Sequence, residues 1–281
     1  MSILETIILA IVEGLTEFLP ISSTGHMILA QGVMGMQSSD YSKAFTVMIQ
    51  LGAILSVVVL YWRRFFIPGL QQDGRDHSHA PQRWKEFFLF YLKLVVGCIP
   101  AGILGLLFEK QIDALLDSVL VVAIMLLLGG ILMVFIDRLF SESRSSKISF
   151  QNAFFVGLFQ CIAMIPGVSR SMATIVGGQQ QRLSRKTAAE FSFFLAIPTM
   201  LGATLLKAYK LFKEFGISIF VDNWQSLLVG NVIAFVVALL AIQFFIGFLT
   251  RYGFKYFGYY RIIVGAVILL LLAFGVELSI A

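Results

Sequence analysis

Glu13-Gly14-Leu15-Thr16-Glu17-Phe18-Leu19-Pro20-Ile21-Ser22-Ser23-Thr24-Gly25-His26 interrupts an apolar run from Ile3 to Gln31, and Pro166-Gly167-Val168-Ser169-Arg170-Ser171 interrupts another from Phe150 to Gly178. A proline followed by hydroxyl residues breaks a helix, and neither remaining half is long enough to cross a bilayer, which takes about 20 apolar residues. Non-helical backbone at membrane depth survives only where it is buried in protein or lines a wet cavity. Both runs therefore read as re-entrant helix-loop-helix hairpins.

Around them lie six stretches of spanning length: Ala44 to Trp62, Phe87 to Phe108, Val119 to Ile136, Glu190 to Lys207, Leu227 to Leu249 and Tyr259 to Glu277. The 281 residues are 58% hydrophobic and only 13% charged. That is too little charge to coat a soluble protein, which carries about 25%. A soluble enzyme, a disordered chain and a nucleic-acid module are excluded in favour of an all-α polytopic membrane protein. The N-terminus has no Lys or Arg before Lys43 and carries Glu5, Glu13 and Glu17, which argues against a cleaved signal peptide. Cys98 and Cys161 sit in apolar runs without metal-ligand neighbours and read as packing residues.

An offset of 146 pairs Pro20 with Pro166, Ser23 with Ser169, Gly32 with Gly178 and Phe45 with Phe191. Each half then runs in the same order, a hairpin followed by three spans, within one integral membrane domain covering 1–281 whose halves are about 1–136 and 147–278. Three spans per half is an odd number, so the repeat should be inverted. The loop charges agree: Arg63 to Glu86 with 137–149, 182–187 and 250–261 hold 14 of the 21 Lys and Arg, and the opposite segments hold five. By the positive-inside rule the first hairpin enters from outside and the second from inside, so their tips should meet near the midplane. Lys93 and Arg170 remain, both inside apolar segments, Arg170 as the only arginine in one away from a loop end and Lys93 as a side chain that could merely snorkel.

Ionisable groups inside membrane segments point to function. Glu13 and Glu17, four apart on one helix, share a proton or a cation between them. Pro20 should end that helix, leaving Ser22 or Ser23 to cap the next, whose N-terminus suits an anion. Ser23 and His26 should share a face, so that imidazole and hydroxyl address one bound group, with Glu17 the alternative base and His26 the acid if the helix break folds Glu17 back over the cap. Arg170 needs an anionic partner, and its fork fits phosphate oxygens, with Ser169, Ser171 and Thr174 as further donors. Gln50, Gln160 and Glu190 could be second-shell ligands or helix-helix glue. The inventory suits phosphoryl transfer on a lipid-borne phosphate, and no Walker loop or dinucleotide signature is present.

The two motifs quoted above, with Glu190-Phe191-Ser192-Phe193, resemble the bacterial undecaprenyl-diphosphate phosphatase family linked to bacitracin resistance, almost end to end. The resemblance implies removal of the terminal phosphate from undecaprenyl diphosphate on the outer side of the cytoplasmic membrane. The carrier lipid would thereby be recycled for peptidoglycan synthesis, with a divalent cation, Mg²⁺ or Ca²⁺, assisting. Carried over by position, the acidic motif falls on Glu13 and Glu17. The hydroxyl and histidine motif falls on Ser22, Ser23, Thr24 and His26, and the arginine motif on Ser169, Arg170, Ser171 and Thr174. Met172 departs from the glycine expected after Ser-Arg-Ser, and would either narrow the pocket or face lipid.

These assignments make Glu17, Ser23, His26 and Arg170 catalytic and the acidic pair metal-binding. Ser22, Thr24, Ser169, Ser171 and Thr174 join Arg170 around the phosphates. The expected partners are the polyprenyl diphosphate and the bilayer, not nucleic acid. The sequence leaves open whether Ser23 or water attacks phosphorus, and whether the chain forms a homodimer. A transporter or flippase of a phosphorylated polyprenyl lipid is the rival reading, since broken helices meeting at the midplane also build transporters. A phosphatase that uses two histidines would need His77 or His79, which lie in a charged loop expected on the other side of the membrane.

Overall fold

The computed structural model describes residues 1–36, 39–68, 80–116, 118–140, 145–276 and 278; His77, Ser78 and His79 lie outside the described residues. Regular structure among those residues is helical, apart from one parallel bridge between Ser145 and Leu183. The first half comprises α1 (Ile3–Thr16), α2 (Ser23–Val33), α3 (Asp40–Met48), α4 (Gln50–Leu60), α5 (Trp62–Phe66), α6 (Ala80–Leu107), α7 (Glu109–Leu116) and α8 (Val119–Leu139). The second comprises α9 (Phe150–Ile162), α10 (Arg170–Gln180), α11 (Arg185–Phe215), α12 (Ser218–Val221), α13 (Trp224–Tyr252) and α14 (Lys255–Ala273).

Among the described residues six helical stretches are long and apolar enough to cross a membrane: Asp40–Leu60 (α3 with α4), Arg83–Leu107 in α6, then α8, α11, α13 and α14. Each overlaps a span expected from the sequence, and the chain is a multi-pass membrane protein. Large apolar side chains such as Phe88, Leu106, Leu205 and Ile263 point outward, while Phe18, Phe193, Phe194 and Arg261 are fully buried. A large apolar exterior over a polar-containing interior suits lipid as solvent.

Both interrupted runs form helix-loop-helix pairs, α1 with α2 and α9 with α10, with a refinement at their breaks. α1 has 14 residues, about 21 Å at 1.5 Å per residue, against a hydrocarbon core of about 30 Å. It starts in a capping box in which Ser2 Oγ accepts from the Glu5 N–H and Glu5 accepts from the Ser2 N–H. Ser149 and Asn152 start α9 in the same way. α1 ends at Thr16 and α9 at Ile162, each four residues before a proline rather than at it. The proline lacks the N–H that those last carbonyls would have accepted.

Beyond the prolines the 146-residue offset fails by one. Ser22 and Ser169 are the residues preceding α2 and α10, with φ of 70° and 75°, a spacing of 147, because the second loop is one residue longer. By its place in the backbone Ser169 thus matches Ser22 rather than Ser23. Positive φ on a non-glycine residue costs about 1–3 kcal/mol and persists only where its surroundings enforce it.

Packing exchanges partners between the halves. α1 runs along α13 and α9 along α6, α4 meets α13 as α11 meets α6, and α8 packs on α14. The approaches are close: a Cβ on Gly157 would sit 2.2 Å from the Gly97 carbonyl oxygen, and one on Gly52 2.1 Å from that of Asn231. The aromatic core of α11 stands directly behind the first loop, where Phe193 meets Phe18 edge-on at 5.4 Å.

Candidate active site

The first residues of α2 and α10 converge on one carboxylate. Ser23 Oγ donates to Glu17 Oε2 at 2.7 Å, and Arg170 Nη2 donates to Glu17 Oε1 at 3.3 Å. Glu17 reaches both because α1 stops at Thr16 and the chain folds back over the start of α2. The Glu17 and Arg170 side chains are 8% and 14% exposed, so the pair is largely withdrawn from bulk water yet open at one edge. A second tie joins the tips where Ser171 Oγ donates to the Leu19 carbonyl at 2.8 Å.

Arg170 is seated from behind. Nη1 donates to the Ser192 carbonyl at 3.1 Å, the guanidinium lies 5.7 Å from the Phe18 ring centroid, and Thr174 Oγ1 pairs with Ser192 Oγ at 2.6 Å. Thr174 also donates to the Arg170 carbonyl at 2.8 Å. The Ser171 and Thr174 hydroxyls, expected on the phosphate, are therefore engaged in holding the arginine and the loop. Ser169 Oγ accepts from the Met172 N–H at 3.4 Å and contacts Ser171 Oγ at 3.1 Å. Ser22 makes no side-chain cap, and Thr24 is half-buried on the first turn of α2.

The expected Ser23–His26 pair is not formed. His26 Nδ1 lies 2.8 Å from the Ser22 carbonyl and Nε2 lies 2.8 Å from Tyr260 Oη, with the two rings stacked. A carbonyl only accepts, so Nδ1 carries a proton. His26 thus holds the strained Ser22 in place, and the side chain hydrogen-bonded to Ser23 is Glu17. Tyr260 lies 234 residues from His26 and had no signal in the sequence.

Arg261 departs furthest from its sequence position. Near Arg251 and Lys255 it groups with the loop charges, yet it sits in α14, fully buried beneath both hairpin loops. Arg170 is therefore not the only arginine within an apolar segment. Met172, whose side chain is 5% exposed, packs inside near Arg261 and does not face lipid.

Glu13 is 2% exposed, adjoins Glu17, and its Oε1 has no hydrogen-bond partner. Gln160 is likewise buried, with both amide atoms unpartnered. Glu190 stands elsewhere, beside Arg64 and Tyr61 and 4.0 Å from Lys186. Gln50 is half-buried at the break between α3 and α4. Lys93 lies 5.7 Å from the centroid of the Phe150 ring. Cys98 and Cys161 are half-buried free thiols. Among the described residues no three His, Cys, Asp or Glu side chains are grouped to hold a metal alone. Two carboxylates with an orphaned oxygen still fit a cation such as Mg²⁺, which is commonly bound through one or two carboxylates plus substrate phosphates and water.

The fold and site define a polytopic membrane protein in which a carboxylate, a hydroxyl and an arginine meet between two helix N-termini. The chain belongs to the family described as bacitracin resistance protein BacA, which it matches over residues 6–267. It is similar to proteins named undecaprenyl-diphosphatase from Porphyromonas gingivalis (60% identical over the whole of both chains), Flavobacterium psychrophilum (55%, over 96% of each) and Bdellovibrio bacteriovorus (48%, over 99% of each).

Proposed function

We propose that the chain hydrolyses undecaprenyl diphosphate to undecaprenyl phosphate and inorganic phosphate, returning the carrier to cell-wall synthesis and so conferring bacitracin resistance. Family membership and the names of its relatives support the reaction. The observation that carries the chemistry is the 2.7 Å bond from Ser23 Oγ to Glu17.

A serine hydroxyl is a weak nucleophile until a neighbouring base takes its proton. Glu17 receives that proton as Ser23 Oγ bonds to the terminal phosphorus, the anhydride P–O bond breaks, and undecaprenyl phosphate departs with the bridging oxygen. Glu17 passes the proton to the leaving phosphate. Water then attacks the phosphoserine, Glu17 accepts its proton, and Ser23 recovers one as inorganic phosphate is released. Arg170 and the free N–H groups at the starts of α2 and α10 face the charge that builds on the phosphoryl oxygens. The Ser22 and Thr24 hydroxyls lie at the same helix start.

Glu13 and Glu17 would hold a divalent cation, Mg²⁺ or Ca²⁺. Bound there, it would neutralise diphosphate charge and relieve the repulsion between the carboxylates. An inverted repeat would account for the exchange of packing partners between halves, and with the loop charges it supports a site open toward the outer face of the cytoplasmic membrane. A carrier of phosphorylated lipid would have no need for a hydroxyl held by a carboxylate.

The test is phosphate release by purified protein from a polyprenyl diphosphate. Ser23→Ala and Glu17→Gln should each lose about 10²–10⁴-fold in turnover, the usual contribution of a positioned base. Rapid quenching with terminally labelled substrate should leave label on Ser23. Substantial turnover by Ser23→Ala would instead favour direct attack by water.

A further inference from the structure

Arg261 has all its donors satisfied without a single carboxylate. Nη1 donates to the carbonyls of Pro20 (3.2 Å) and Val168 (3.0 Å), Nη2 to those of Gly167 (2.8 Å) and Met125 (3.1 Å), and Nε to that of Leu126 (3.4 Å). A guanidinium has five N–H groups in a fixed plane, and here each goes to a backbone oxygen. Three of the acceptors belong to the two loops, Pro20 to the first and Gly167 and Val168 to the second, while Met125 and Leu126 anchor the fork to α8. The seat is shaped for it: a Cβ on Gly129 would lie 2.4 Å from Nη2. Burying an arginine this completely is costly unless it is fully hydrogen-bonded, and carbonyl dipoles leave its positive charge uncancelled.

We propose that Arg261 is the positioning residue of this site, a clasp that fixes the two hairpin loops relative to each other so that Ser23 and Arg170 address one phosphoryl group, with its buried charge favouring a polyanionic substrate. The catalytic consequence rests on the hydrolytic reading above. Through Pro20 it sets the loop that delivers Ser22 and Ser23, and through Gly167 and Val168 the loop that delivers Ser169 and Arg170. It touches neither nucleophile nor phosphate.

Two variants of the full chain in lipid nanodiscs test this. Arg261→Lys keeps the charge but cannot span five carbonyls, and Gly129→Ala keeps the arginine but pushes Nη2 from its seat. The readouts are kcat and KM for a polyprenyl diphosphate per folded molecule, and amide hydrogen exchange of residues 17–22 and 164–169. In both variants the loops should exchange together about tenfold faster, because a shared tie is lost. Turnover should fall about 10²-fold while KM stays within about threefold, since misplacement of the reacting groups acts on the chemical step. Unchanged loop exchange and unchanged kcat in folded Gly129→Ala overturn the proposal, even if Arg261→Lys fails to fold. Loosened loops in a protein whose wild type releases no phosphate would leave the clasp standing and remove the hydrolytic reading.

Discussion

Glu17 divides its two oxygens between the first residue of α2 and the first residue of α10, so one carboxylate holds both a hydroxyl and a guanidinium. Arg170→Lys retains a charge near Glu17 but loses the planar fork that spans Glu17 and the Ser192 carbonyl. Its turnover should drop about 10²–10³-fold, as when a comparable oxyanion donor is removed, and near-normal phosphate release would show that charge alone suffices. Tyr260→Phe keeps the stacking with His26 and removes only the hydrogen bond to Nε2. A net hydrogen bond contributes about 0.5–1.5 kcal/mol, so a fall of roughly 2–10-fold in kcat/KM is expected, and a larger loss would mean that Tyr260 takes part in proton transfer. Glu13→Gln should leave the fold intact and weaken metal activation, which the metal-dependent rise in Tm would report alongside activity. The acidic pair, Ser23 and Arg170 were legible because charge and hydroxyls inside an apolar run are costly. The partner of Ser23 was legible only as an alternative: helical periodicity favours His26 three residues on, and Glu17 comes into reach only because the helix break lets it fold back six residues.

At the scale of elements, the hairpins follow from proline placement, and their mutual register follows from the strained serines. The prolines and hydroxyls were readable as breaks. The one-residue shift between loops was not, since aligning identities locks onto Pro20 and Pro166 while the backbone repeats at Ser22 and Ser169. The interhelical contacts were equally silent in the sequence, because a glycine in a membrane helix looks the same whether it faces lipid or a neighbour. Gly157 and Gly102 separate these cases. Alanine at 157 would drive a Cβ against the Gly97 backbone, whereas nothing lies within 4 Å of a Cβ at 102. Overpacking costs about 1–3 kcal/mol, and replacing glycine in a helix returns up to about 1 kcal/mol. Gly157→Ala should therefore lower Tm in detergent, and Gly102→Ala should hold or raise it. Equal melting of the two would mean that α6 and α9 do not approach as closely as their glycines allow.

For the whole molecule, the distribution of charge carries the orientation, and moving Arg261 from the loop tally to the interior leaves that argument intact. Thirteen Lys and Arg then remain on the segments assigned to the inside, against five opposite. Arg261 was misplaced because it stands near Lys255 and Arg251 at the edge of an apolar run, where sequence gives no sign of which basic residue turns inward. If the hairpins enter from opposite faces, the start of α3 lies outside and the segment before α9 lies inside. Ser39 and Ser146 are exposed reporters of those two places. In a background with Cys98 and Cys161 replaced by serine, since both thiols are only half-buried, Ser39→Cys should react with an impermeant thiol reagent on intact cells. Ser146→Cys should react only after permeabilisation. Labelling of both from outside would place an even number of crossings between them. The halves would then share one orientation, and the tips would meet without the inversion on which the proposed outward-facing site depends.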